Sequence, residues 1–293
     1  MQIKLLAVLA LLSLTSSHLT AQETLPARLL REGVLISPRE VAKLPQPTLT
    51  DEMTPAQQRQ AIEALVDGKY SWEVFTRNSV VAPFLIKIAD NEAPGGKNIG
   101  RRVDVSFMAY GSLHKIQSDE FLNARFQGSD LQDAETGSRA LVLKDQELTA
   151  RKLPVPQRDT DPRWVAVDMT LFEKVRISST TRNEKISNEK SVFVASLLDP
   201  AFDADVAYPN SWRAISRDDK GQKQLSRPQA YAGLGSYVKV TKLAEPAGSL
   251  FVEYHVAFAE PEGWFQGANL LRSKLPIAAQ DSVRRFRRSL GEK

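Results

Sequence analysis

Residues 249–265 read SLFVEYHVAFAEPEGWF, and their first two thirds alternate: Val252, Tyr254, Val256 and Phe258 fall on one side, Phe251, Glu253, His255 and Ala257 on the other. A period of two marks a β-strand with two distinct faces. Upstream, AYAGLGSYVKVTKL (230–243) continues the pattern, with Trp212 to Ser216 expected to pair with it around the Asp218 to Gly221 or Arg227-Pro228 turn. Downstream the period becomes helical. Gly263 to Leu290 carries apolar residues at Trp264, Leu270, Leu271, Leu275, Val283, Phe286 and Leu290, and Pro276 predicts a kink near the middle.

The same alternation extends toward the N-terminus. Arg101 to Tyr110 is a half-buried strand with Val103, Val105 and Phe107 on one face. Arg163 to Ile177 reads as one long strand, with Val165, Val167 and Met169 on one side, and the polar run Ser178 to Lys190 as the turn into Ser191 to Leu198. Ala140 to Lys152 is a weaker strand, and Ser118 to Phe126 a short capped helix. Val80 to Ile88 contains Pro83, which confines it to an edge. Residues 22–54 hold Pro26, Pro38, Pro45 and Pro47 and predict an extended arm without a long helix. A helix then starts at Thr54, where a capping residue, Pro55 and Gln57 coincide, and stops at Gly68.

These elements define an α+β fold: an antiparallel sheet of about seven strands wrapped around a long C-terminal helix, preceded by an N-terminal helix and arm. Three segments follow: 1–21, 22–99 as arm, helix and edge strand, and 100–293 as the sheet-and-helix unit.

The closing stretch, YPNSWRAISRDDKG (208–221), the two segments quoted first, NLLRSKLP (269–276) and VRRFRRSL (283–290), resembles the ends of START and related SRPBCC-type domains. In that helix-grip family a tryptophan strand, a hairpin, a last strand, a proline–glycine corner and a terminal helix enclose an elongated apolar cavity. The resemblance implies a lipid or other hydrophobic small molecule as partner. It places Val103, Val105, Phe107, Val165, Val167, Met169, Val238, Val240, Val252, Tyr254 and Val256 on the concave wall, with Trp264 and Leu271 covering them. Periodicity alone fits a cavity lining and a dry core equally well.

The first 21 residues set the expected compartment. Lys4 supplies a cationic start, Leu5 to Leu12 an apolar run too short to span a bilayer, and Ser16, Ser17, Thr20 and Ala21 the small residues of a cleavage site, so a signal peptide removed after Ala21 is expected. An exported, periplasmic or extracellular protein follows from that reading. With no cysteine, disulfides and thiolate metal sites are excluded, and no Asn-x-Ser/Thr sequon is present. A chain of about 270 residues buries enough surface to fold on its core alone.

Catalytic signals are sparse. Of three histidines, only His114 and His255 follow the expected leader, and their spacing carries no metal signature. Glu253 and His255 share a strand face, which suits a carboxylate-oriented imidazole but is also what a wet strand face contains. Asp199, Asp203 and Asp205 lack the glycine and distal glutamate of a calcium loop. Pro94 to Lys97 lacks the spacing of a phosphate loop, and no Gly-x-Ser-x-Gly elbow occurs. No cofactor is implied.

Formal net charge is only +4, yet Arg272, Lys274, Arg284, Arg285, Arg287, Arg288 and Lys293 crowd the last helix against Asp281 and Glu292. Such a helix suits an anionic membrane surface, or simply places cations at the negative end of the helix dipole. Without aromatic residues interleaved on strands, nucleic-acid binding is unsupported. The expected function is an exported, non-enzymatic protein holding a hydrophobic ligand. The alternatives are an envelope-associated interaction protein with a solid core and a hydrolase using acidic residues.

Overall fold

The computed structural model describes residues 23–118, 139–158, 160–262, 264–265 and 270–291. Elements in chain order are α1 (Leu25–Glu32), β1 (Val34–Ser37), β2 (Glu40–Ala42), α2 (Pro55–Val66), α3 (Trp72–Phe75), β3 (Phe84–Glu92), β4 (Asn98–Tyr110) and α4 (Leu113–Gln117). After residue 138 come β5 (Arg139–Val142), α5 (Asp145–Ala150), β6 (Arg163–Leu171), β7 (Val175–Ser187), β8 (Ser191–Leu198) and β9 (Ser211–Arg217). The chain closes with β10 (Lys223–Leu225), β11 (Gln229–Ala230), β12 (Leu234–Lys242), β13 (Ser249–Ala259) and α6 (Leu270–Gly291).

All strands but β1 and β2 join one sheet of 11 strands. Its antiparallel spine runs β5-β6-β7-β8-β12-β13-β4-β3, and β9, with β10 and β11 beside it, pairs with the first part of β7. The last strand thus lies against β4, near the start of the sheet, while α6 packs on β4 and β3. The result is an α+β arrangement of helix-grip type: an antiparallel sheet whose last strand returns beside β4, with the closing helix packed on that part of it.

Several local readings change. Arg163 to Ile177 is a hairpin, β6 and β7, turned at Phe172 and Glu173, which both adopt positive φ (49° and 56°). The polar run after it is not a turn: β7 continues through Ser187. Several of its buried polar groups are satisfied internally, for example Thr180 N–H by Asn210 Oδ1 at 2.9 Å and Glu184 Oε2 by Leu25 N–H at 3.0 Å, so a polar strand can be a central one. Ala140 to Lys152 divides into β5 and the short helix α5. Trp212 and β12 are not hairpin partners, since β9 pairs with β7, β10 and β11 while β12 lies between β8 and β13. Helix α6 runs through Pro276 without a break. β3 begins after Pro83 and forms the edge, and α2 carries the capping box expected at Thr54 and Gln57. The short helix expected at 118–126 falls almost wholly outside the described residues.

The N-terminal arm is a second cover. Helix α1 and the β1-β2 hairpin place Leu25, Leu29, Val34, Ile36, Ala42 and Leu44 against Phe193, Ala195, Tyr237 and Ala257. Alternation puts these sheet residues on the face opposite Val194, Val238 and Val256. The hairpin comes so close that a Cβ on Gly233 would lie 1.8 Å from the Leu35 carbonyl oxygen, and one on Gly235 2.5 Å from Val34. The glycine-rich stretch 231–236 is therefore a flat seat for the arm.

Candidate functional site

Strand register assembles the face under α6 row by row. Val103, Val256, Ser236, Ser196 and Asn183 are successive cross-strand neighbours, as are Val105, Tyr254, Val238, Val194 and Lys185, and then Phe107, Val252, Val240 and Val192. Directly opposed residues share a face, so each row is a continuous surface. Val103, Val105, Phe107, Val238, Val240, Val252 and Val256 join Val283, Phe286 and Leu290 of α6 in one core cluster, with Phe107 and Phe286 edge to face at 5.5 Å. These seven residues thus form one continuous sheet face, and the helix packs on it.

The wall is not covered evenly. In the second half of α6, Val283, Phe286, Arg287 and Leu290 are buried, whereas in the first half Leu275, Pro276 and Ala279 are only half-buried and Ile277 is exposed. Beneath, the sheet shows the matching pattern. Tyr254, Phe258, Leu234, Ser236, Ser196 and Leu198 are half-buried, although the valines beside them are buried. Tyr254, Phe258, Leu234, Leu275 and Ala279 are partly buried members of the same cluster, as are Phe84, Ile86 and Ile88 of the edge strand β3. Burial nevertheless pushes the Tyr254 phenol above its ordinary pKa, against a hydrogen bond from Ser236 that acts to lower it. The partial exposure of these residues beside buried valines marks a lightly covered patch on the sheet. The patch is amphipathic, with the aromatic and aliphatic carbon of Tyr254, Phe258 and Leu234 beside the hydroxyls of Ser236 and Ser196. The Ser196 hydroxyl donates to Asn183 Oδ1.

A charged cluster lies beside the Phe258 end. Arg101, buried and directly opposite Phe258, donates to Asp90 and to Glu260, each at 2.5 Å, and Arg272 of α6 also donates to Asp90. These bonds tie the start of α6 to the β3-β4 edge.

The remaining candidate lining residues are placed differently. Trp264 and Leu271 belong to a second cluster, against which Leu198, Leu234, Phe258 and Leu275 also pack, and in which Trp264 stacks on Tyr231 at 5.8 Å and meets Trp212 edge-on at 6.1 Å. Val165 is buried between Thr181 and Val142 in strand register, Val167 is half-buried, and Met169 is 37% exposed. Ser196, Ser236, Leu234, Leu198 and Phe258 are not among the lining residues expected from the sequence, although the alternation already places Phe258 on the face of Val252, Tyr254 and Val256.

On the opposite face, Glu253 is fully buried and His255 is 5% exposed. His255 Nδ1 lies 2.8 Å from Asp104 Oδ1, and its Nε2 is 3.9 Å from Glu253 Oε1. Burial opposes charging of the imidazole, but the hydrogen bond to Asp104 and the negative charges of Asp104 and Glu253 outweigh it and raise its pKa. The arm roofs this cluster: Thr48 N–H donates to Glu253 at 2.9 Å, Tyr237 OH to the Pro45 carbonyl at 2.9 Å, and Lys239 Nζ to the Leu49 carbonyl at 2.7 Å. What resembled an acid/base pair fastens the arm. Asp199, Asp203 and Asp205 diverge likewise, bonded to Trp164, Asn210 and Arg151 respectively. Among the described residues no group of three histidine or carboxylate side chains could hold a metal, and no helix is long and apolar enough to cross a membrane.

Comparison with solved structures finds similar folds at very low identity. The human StarD13 (DLC2) lipid transfer and protein localization domain matches at 9% identity over 79% of this chain and 95% of that one, with a TM-score of 0.41. Human STARD10 matches at 7% identity over 85% of this chain and 83% of its own, with a TM-score of 0.33. Protein Ms6760 from Mycobacterium smegmatis matches at 9% identity over 70% and 96%, also at 0.33. No protein-family model and no curated protein sequence matches the chain.

Proposed function

We propose that this is an exported, non-enzymatic protein that holds a lipid or similar amphipathic small molecule between the sheet and the first half of α6. One observation carries the reading: the half-buried patch of Tyr254, Phe258, Leu234, Leu198, Ser236 and Ser196, surrounded by buried valines and lightly covered by Leu275 and Ala279. A pocket with apolar walls and a few convergent polar groups is the usual form of a small-molecule site. Here the valine rows suit an acyl chain, and the Ser236, Ser196 and Asn183 row suits a polar end.

The well-packed end around Phe107 and Phe286 favours a second reading, a solid core whose outer surface does the binding. Native mass spectrometry of the mature protein, followed by titration with a fluorescent fatty acid, separates the two. A co-purifying small molecule or saturable probe uptake supports the carrier, and a bare protein that takes up no probe overturns it. The hydrolase reading gains nothing from His255, whose cluster lies under the arm. Export rests on the leader at 1–21, and an intact mass beginning at Gln22 in the extracytoplasmic fraction is the expected result. Docking on anionic membranes would use Arg285 and Arg288, which are exposed, and not Arg287, which is buried.

A further inference from the structure

Arg287 is 7% exposed, and its guanidinium is spent on backbone carbonyls. Nε donates to Met108 at 2.8 Å, Nη1 to Ala82 at 2.6 Å and Val80 at 3.2 Å, and Nη2 to Pro83 at 2.9 Å. All four acceptors are neutral, and no carboxylate among the described residues forms an ion pair with it. A buried charge is ordinarily paired, because carbonyl dipoles replace hydration without cancelling charge. Here the neighbouring charge has the same sign: burial first, and then Arg77, lower the Arg287 pKa to about 10.

Next to this cation is a cleft of about 380 Å³, lined by Asn78, Ser79, Tyr110, Arg287 and Arg288 among others, with no carboxylate among its described lining residues. Arg288 lines the cleft, and Arg77 immediately precedes the lining residue Asn78; both are exposed, and neither forms an ion pair with a carboxylate among the described residues. A guanidinium carries five N–H groups, so one on Arg287 is left after the four carbonyls are served. Asn78 and Ser79 add an amide and a hydroxyl.

We propose that this cleft is an anion site for a phosphate group. Arginine forks match phosphate oxygens two at a time, and a dianion balances the cluster better than a single carboxylate does. The cleft exceeds a bare phosphate ion, so the group arrives on a phosphorylated small molecule or as a lipid headgroup. This inference is independent of the ligand space under the first half of α6.

The test is calorimetric titration of the mature protein with inorganic phosphate and with glycerol 3-phosphate in constant chloride, alongside flotation with phosphatidylcholine vesicles with and without phosphatidic acid. Each is repeated on the Arg77→Ala/Arg288→Ala variant, whose changes are on the surface and leave the Arg287 carbonyl contacts intact. Saturable binding of a soluble phosphate, weakened at least tenfold in the variant, supports the site with a free ligand. Phosphatidic-acid-dependent flotation lost in the variant supports it with a headgroup. Absence of both, or binding equal in the two proteins, overturns the proposal.

Discussion

Replacing Ser236 by leucine tests whether space exists beneath α6. Ser236 stands between Val256 and Ser196 in strand register, is half-buried, and hydrogen-bonds Tyr254. Losing that bond costs about 1 kcal/mol. If the region is open, the new side chain fills it and recovers about 2 kcal/mol from burial, leaving the variant within about 1 kcal/mol of the parent. If the region is close-packed, overpacking adds about 1–3 kcal/mol to the lost bond, for a total near 2–4 kcal/mol. With a urea m-value of about 3 kcal/mol/M, these outcomes differ by nearly 1 M in denaturation midpoint. Val240→Leu is the internal control, because Val240 is buried on the same face among close neighbours; it should lose about 1–3 kcal/mol. Fluorescent fatty-acid binding should weaken at least tenfold in Ser236→Leu and persist in Val240→Leu. If Ser236→Leu is as costly as Val240→Leu and neither alters probe binding, the enclosed-space argument is wrong.

Two further outcomes concern the arm. His255 has a raised folded-state pKa, so its contribution is complete below the ordinary histidine value of about 6.5 and is lost as pH rises through the higher folded value. The urea midpoint should therefore rise on acidification from about pH 8 to pH 6, and His255→Gln should flatten that slope; an unchanged slope in the variant would remove His255 as its source. Gly233→Ala should detach the β1-β2 hairpin, because the added Cβ meets the Leu35 carbonyl oxygen at 1.8 Å. Limited proteolysis between residues 33 and 47 should then be faster than in the parent, and equal rates would count against the close seat.

Elements whose periodicity matches their environment were legible in the sequence. β13 was readable because its residues alternate with a period of two, α6 because its apolar residues recur at helical spacing, and α2 because Thr54, Pro55 and Gln57 form a local cap. β7 was not, because its inward residues are Ser179, Thr181 and Asn183, which are satisfied by partners the local sequence does not reveal, among them Ser196 of the next strand. The β6-β7 turn was hidden because Phe172 and Glu173, not glycine or asparagine, take the positive φ. The arm's prolines announced an extended chain. That its carbonyls serve Tyr237 and Lys239, each about 190 positions away, is a tertiary fact without a local signal.

The two covers of the sheet differ in what they allow to move. On the arm face, Tyr237 and Lys239 donate to carbonyls of the strap and Glu253 accepts from its Thr48 N–H, so displacing the strap would strand buried polar groups. On the α6 face the helix is tied at its ends, by Arg272 to Asp90 and by Arg287 to four carbonyls, while between them the contacts are apolar and tolerant of small displacements. In the proposed carrier, helix ends that are pinned and a middle that is only half-buried place the route of entry under the first half of α6, beside Leu275 and Ala279. A cysteine pair joining that part of the helix to the sheet should then slow probe uptake, whereas an equivalent tether on the arm should leave it unchanged.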